Sequence, residues 1–195
     1  MLDTIGSSAA PIRHDDAQIL RLCGAEALLA ASFFDTVPEQ TRYRRFHRVM
    51  SAVMVRAHYN ALDWNLSIVL AWIERDEIFG IAEVHPYPVR KYRETEIALC
   101  LKPMPIEVSR KKSPQPCLSE LHHPTERVKP ARDAPDPYTG HFGLALMADA
   151  VSRAAATGAR CSRMLLCPPD PVQLGFGRRL GGVFDAPQDT LVFTH

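Results

Sequence analysis

Between residues 140 and 145 the chain reads Gly140-His141-Phe142-Gly143-Leu144-Ala145, directly ahead of an apolar pattern of helical spacing. Two glycines and an alanine leave the backbone open where a helix begins. The first amides of a helix have no internal partner, and the helix dipole adds positive potential there, so such a segment suits a phosphate. Small residues at a helix start serve close packing without a ligand equally well. Upstream, Glu94 and Glu96 stand two apart in a β-forming run, which places both carboxylates on one strand face. The segment Thr41-Arg42-Tyr43-Arg44-Arg45-Phe46 carries Arg42, Arg44 and Arg45, which could meet an acidic group or a phosphate; a solvated basic face is the simpler reading. Cys117, His122 and His123 could ligate zinc, but their spacing matches no usual finger and lacks a second pair. Cys167 ends an apolar run, where a thiol is normally buried and inert.

The elements that would position these residues follow from pattern. Ile12 to Ala17 reads as a short strand before an Asp-capped helix through Ile19, Leu20, Leu22 and Cys23. A helical stretch is expected through Met50, Met54 and His58. Leu66–Ile73 and Ile78–Val84 read as an antiparallel hairpin around a polar turn, with Thr95–Leu101 as the next strand. Leu144, Met147, Val151 and Ala154 predict an amphipathic helix, closed by a left-handed Gly158. Met164–Cys167 predicts a short buried strand. Asp170-Pro171 predicts a helix start with Asp as cap and Pro in the first turn, running to about Leu180 and stopping at Gly181-Gly182. Thr190–Thr194 predicts a last strand. Between Pro103 and Pro137 lie eight of the 16 prolines, mixed with charge. That stretch is expected to be an inserted or irregular loop at about 103–139 within a single domain spanning 11–195.

Composition narrows the classes. The chain has 195 residues, 46% of them apolar, enough for one sizeable core. With 23 basic and 22 acidic side chains the net charge is +1, which offers no long-range pull toward nucleic acid or an anionic membrane. No apolar run is long enough to cross a bilayer, and the first residues do not read as a secretory signal. Five cysteines without regular spacing argue against a disulfide framework and suit a reducing cytoplasm.

The order of elements and their motifs resemble the GNAT superfamily of acyl-CoA N-acyltransferases. The family's phosphate loop ends in Gly, one residue, then Gly or Ala. Gly143 and Ala145 match those places, while Gly140 stands where Gln or Arg is usual. Asp170 stands at the place of the family's Asn, and Arg178-Arg179-Leu180-Gly181 matches its closing motif, with Gly182 in place of Phe. Ile12-Arg13, Asp16-Ala17, Thr41 to Phe46 and Ala61-Leu62-Asp63-Trp64 resemble bacterial GNAT domains of the protein-acetylating kind. The resemblance implies an α/β fold with a mixed, mostly antiparallel sheet flanked by helices. It implies acetyl-CoA as cofactor and a primary amine, on a protein lysine or a small molecule, as acceptor. The cofactor arm is expected along Cys100 and Leu101, and its pyrophosphate on the amides of His141, Phe142, Gly143, Leu144 and Ala145, with Asp170 also at the cofactor. Glu96 is the expected base that takes the amine's proton, with Glu94 as the alternative. The Tyr that many family members use as acid toward the departing thiolate has no counterpart after Tyr138. A GNAT-like binding module without catalysis is the competing expectation.

Overall fold

A computed structural model describes residues 17–87, 94–103, 137–166 and 168–195, with side chains in the third stretch described from residue 142 onward. The expected strand at 12–17, the insertion, the Cys117/His122/His123 group and Cys167 therefore lie wholly or almost wholly outside the described residues. The first described element is a strand, β1 (Gln18–Leu22). This corrects the expected helix through Ile19 and Leu22. The short apolar spacing there is too brief to hold a helix, and the backbone is satisfied instead by an antiparallel ladder. The ladder pairs Gln18 with Ile73 and Leu22 with Val69 of the next strand.

Three helices follow: α1 (Ala27–Thr36), α2 (Glu39–Phe46) and α3 (Ala52–Ala61). Ser51 caps α3 by accepting from the Met54 amide. The hairpin β2 (Ile68–Glu74) and β3 (Glu77–Pro86) forms as expected. Its turn residues Arg75 and Asp76 both adopt positive φ, 50° and 63°, the backbone that matches a two-residue hairpin loop to strand twist. Strand β4 (Glu94–Leu101) lies beside β3. Helix α4 (Pro137–Ala156) ends at Gly158, whose φ is 79°. Strand β5 (Cys161–Leu165) starts three residues earlier than the expected Met164. Helix α5 (Pro171–Arg179) is capped by Asp170, and β6 (Val183–Asp185), which the sequence reading missed, precedes β7 (Thr190–Thr194).

These strands make one seven-stranded sheet in the order β1-β2-β3-β4-β5-β7-β6. Every neighbouring pair is antiparallel except β4 with β5. Strand alternation divides the core between two faces. Val69, Ala71, Ile81 and Cys100 pack with Phe33, Phe34, Val55 and Tyr59 under α1 and α3. Leu70, Trp72, Val84, Ile97 and Leu99 pack with Leu146, Met147 and Phe176 of α4 and α5. The architecture is the mixed, mostly antiparallel α/β sheet with flanking helices that the sequence implies.

The parallel pair of β4 and β5 is short. Its register holds for only three positions, Glu94↔Cys161, Thr95↔Ser162 and Glu96↔Arg163. Strand β4 continues to Leu101, so the two strands diverge beyond Glu96 and leave a wedge in the sheet.

Helix α4 also differs from expectation at its start. It begins at Pro137, so His141 to Ala145 lie inside it rather than in a loop ahead of it. In a helix that starts there, amides from about the second turn on bond carbonyls four residues back. Gly143 is buried, and a Cβ on it would lie 2.7 Å from Leu101 Cδ1 and 2.8 Å from Phe176 Cε2. Of the two readings of this glycine, the structure displays close packing: its missing side chain lets α4 rest on β4 and α5.

Candidate active site

The site is built around the wedge. On β4, Glu94, Glu96, Ala98 and Cys100 alternate onto the face that carries α1 and α3. Glu96 sits where the parallel ladder stops, and its carboxylate accepts a hydrogen bond from the Tyr87 hydroxyl at 2.7 Å. Glu94 is buried and pairs with Arg163 at 3.4 Å.

Two hollows meet here. A small one, about 10 Å³, is lined by Glu96, Ala98, His47 and Arg45, with Leu165 and Gln173 across the gap. On that measure it has room for about one water-sized group. The larger, about 240 Å³ and mostly apolar, follows Leu99 to Pro103 along one wall and Asp170 to Gln173 along the other. Arg44, Leu99 and Gln173 line both, so the hollows lie side by side. The Gln173 side-chain amide reaches the Leu99 carbonyl at 3.5 Å across the wedge.

Asp170 does two things at the mouth. Its Oδ1 accepts from the amides of Val172 at 2.8 Å and Gln173 at 3.3 Å, which satisfies two donors at the start of α5. Its Oδ2 receives Arg44 of α2 at 3.1 Å. Arg42 donates to the Phe34 carbonyl at 2.9 Å. Arg45 departs from the expected solvated basic face altogether, since it is buried against Glu83.

Glu83 is the group that sequence reasoning missed. It lies on β3, fully buried, and five contacts converge on its two oxygens. Arg45 Nε donates to Oε1 at 3.2 Å and Tyr59 hydroxyl donates to Oε1 at 2.7 Å. Arg45 Nη2 meets Oε2 at 2.7 Å, and the imidazoles of His85 and His58 approach Oε2 at 3.0 and 3.4 Å. Burial alone would raise this carboxyl. The Arg45 guanidinium, helped by His58 and His85, overcomes that and holds it well below the usual carboxylate range. Burial, reinforced by the Glu83 charge, pushes the Tyr59 phenol well above its ordinary value. Burial likewise pushes the Cys100 thiol up to about 12, which leaves it protonated and inert as a nucleophile. The available signal was Glu83's position inside an apolar strand run, where a carboxylate demands a partner.

The expected site residues thus fall into two groups. Glu96, Cys100, Leu101 and Asp170 gather around the wedge. Phe142 stacks on Trp72 with ring centroids 4.8 Å apart, and Leu144 joins the same apolar cluster. Gly143 meets Leu101 and Phe176, and Ala145 is half-buried on α4. Among the described residues no group of His, Cys, Asp or Glu is arranged to hold a metal ion, and no helix is long and apolar enough to cross a membrane.

No protein-family model and no curated protein sequence matches the chain. Solved structures do. The GNAT domain of the Streptomyces lividans protein PAT superposes with TM-score 0.58 at 15% identity, covering 92% of this chain and 90% of its own. A GNAT superfamily phosphinothricin acetyltransferase from Sinorhizobium meliloti, solved with acetyl-CoA, gives TM-score 0.56 at 14% identity over 91% and 86%. The yncA protein of Salmonella typhimurium, solved with its cofactor acetyl-CoA, gives 0.55 at 12% over 88% and 82%. At these identities the likeness establishes the GNAT fold.

Proposed function

We propose that this chain is a GNAT superfamily N-acetyltransferase that moves an acetyl group from acetyl-CoA to a primary amine, on a protein lysine or a small molecule. The observation that carries the reading is the wedge beyond Glu96 and Arg163, with an apolar cleft opening from it and a carboxylate at its base. Structural neighbours of the same fold hold acetyl-CoA, which supports this use of the cleft. A long, narrow, largely apolar arm fits the wall formed by Leu99, Cys100 and Leu101 and the facing start of α5. The phosphate end belongs near the start of α4. Amides without internal partners lie in its first turn, Tyr138 to Gly140, ahead of the expected His141 to Ala145. Asp170 caps the first turn of α5 beside the cleft.

Acetyl-CoA would supply an activated thioester. The protein's contribution is mostly positioning. Glu96 takes the proton that the attacking amine gives up, directly or through one water, and Tyr87 holds the carboxylate in place. The free thiols Cys23, Cys100 and Cys161 suit a reducing cytoplasm.

A second reading, a binding module without catalysis, draws support from two contacts across the site: Arg44 with Asp170, and Gln173 with the Leu99 carbonyl. Calorimetry tests the cofactor. CoA and dephospho-CoA should bind comparably, and pantetheine, which lacks the pyrophosphate, far more weakly. An acceptor screen then tests turnover, and Glu96→Gln should lower it by roughly 10²-fold or more with little change in CoA affinity. Tight CoA binding with no turnover toward any amine would favour a CoA-binding module; no CoA binding would remove the transferase and favour a partner-binding module.

A further inference from the structure

His47 is the residue of the small hollow that the fold itself does not explain. It follows α2 as its C-cap in the left-handed conformation, φ 53° and ψ 22°, with its amide donating to the Tyr43 carbonyl at 2.7 Å. Glycine takes that backbone at no steric cost, and asparagine takes it readily. Histidine, with asparagine and aspartate, is among the non-glycine residues enriched in that region, so the backbone there is no anomaly and the side chain is what needs a partner. Its Nδ1 is shielded from solvent and has no hydrogen-bond partner among the described residues. A buried polar atom left in that state is destabilising unless a bound group satisfies it. His47 lines the same hollow as Glu96 and Gln173. The charged neighbours in that hollow are Arg44, Arg45 and Glu96. Arg45 is paired with Glu83 and Arg44 with Asp170.

We infer that His47 is a second catalytic residue, the acid that protonates the departing sulfur. This rests on the transferase reading above. An arm lying along Leu99 to Leu101 in the larger hollow, with its acyl end toward Glu96, brings the sulfur to the edge of the small hollow that His47 lines. Glu96 accepts the proton released as the C–N bond forms. His47 gives one to the sulfur as the C–S bond breaks and the sulfur keeps the electron pair. Once CoA leaves, solvent enters the cleft and restores the proton of His47, and Glu96 returns its own to solvent. The two exchanges balance, with no other reactant required.

Two variants suit the left-handed position, His47→Asn and His47→Gly, and both should retain the wild-type circular dichroism spectrum and urea midpoint within error. With acetyl-CoA, kcat should fall by about 10²-fold in both. With the acetyl thioester of p-nitrothiophenol, whose thiolate leaves without protonation, the loss should be under about threefold, since an acid then has nothing to contribute. A binding measurement gives an independent readout. Wild type should prefer CoA over desulfo-CoA by several-fold, and His47→Asn should bind the two equally. Equal losses with both thioesters, or an unchanged preference for CoA over desulfo-CoA in the variant, would overturn the acid role. Wild-type turnover with undiminished rates in the variants would overturn it alone. A wild type that acetylates nothing would overturn the transferase reading and the acid role together.

Discussion

Arg45 Nη2 and Glu83 Oε2 lie 2.7 Å apart beneath α2, with the arginine side chain 8% exposed and the carboxylate not exposed at all. Through this pair α2 is fixed to β3, and the neighbouring Arg44 and His47 are held over the wedge. Burial would lower the Arg45 pKa, but the Glu83 charge reverses that and raises it, consistent with a pair in which both members stay ionised.

Breaking the pair leaves one buried charge without its partner. Arg45→Met should cost about 3–5 kcal/mol of unfolding free energy, measured by urea titration at pH 7. A double change to Arg45→Met with Glu83→Leu should recover much of that, because two apolar side chains leave no charge stranded. A double variant as unstable as the single one would show that the remaining contacts of Glu83, with Tyr59, His58 and His85, carry most of the effect.

The same carboxylate sets an acid limit. Its native pKa lies well below the usual value, so the unfolded chain binds more protons there as the pH falls. The stabilisation is complete above the ordinary carboxylate pKa of about 4.3 and is lost as pH falls from there through the native value. Urea midpoints between pH 6 and pH 3 should drop steeply in wild type and less steeply in Glu83→Gln. Parallel slopes would assign the acid sensitivity to other carboxylates.

Gly143 tests packing between α4 and its neighbours. Gly143→Asp would press a carboxylate against the apolar side chains of Leu101 and Phe176. A loss of at least about 3 kcal/mol is expected, visible as a lowered thermal midpoint before any ligand is added. Gly143→Ala should do less harm: Leu101 Cδ1 and the Phe176 ring must both shift for a methyl, but no charge is buried and alanine gains about 1 kcal/mol of helix propensity over glycine. An Asp variant with wild-type stability and weak CoA binding would instead support a phosphate at this turn.

Asp170 separates a cap from an ion pair. Asp170→Asn keeps an oxygen for the Val172 and Gln173 amides but gives up the charge opposite Arg44, which is partly exposed. Stability should change by less than about 1 kcal/mol. Asp170→Ala removes the cap as well and should cost about 1 kcal/mol more. Equal stability of the two variants by urea unfolding would show that the cap contributes nothing here.

The sequence by itself determined the elements whose signals are local. The Glu74–Glu77 turn lies between two β-forming runs, Asp170-Pro171 marks a helix start, and Gly158 and Gly181 end helices at φ 79° and 80°; each acts through its own backbone or nearest neighbours. Order and motif together then implied the mixed sheet that the chain forms. Tertiary structure decided the rest. Gln18–Leu22 is a strand because β2 offers it a ladder, a partner some 50 residues away that helical spacing does not reveal. Gly143 has two possible uses in the sequence, and the close approach of Leu101 and Phe176, which no local signal reveals, supplies the packing one. Arg45 looks like one member of a solvated basic run until β3 brings Glu83 beneath it. Glu96 and His47 stand on a strand and a helix cap 49 positions apart in the chain, and the divergence of β4 from β5 places them on one hollow. Charges and polar atoms declare their roles by what lies within a few ångströms, and those neighbours come from distant parts of the chain.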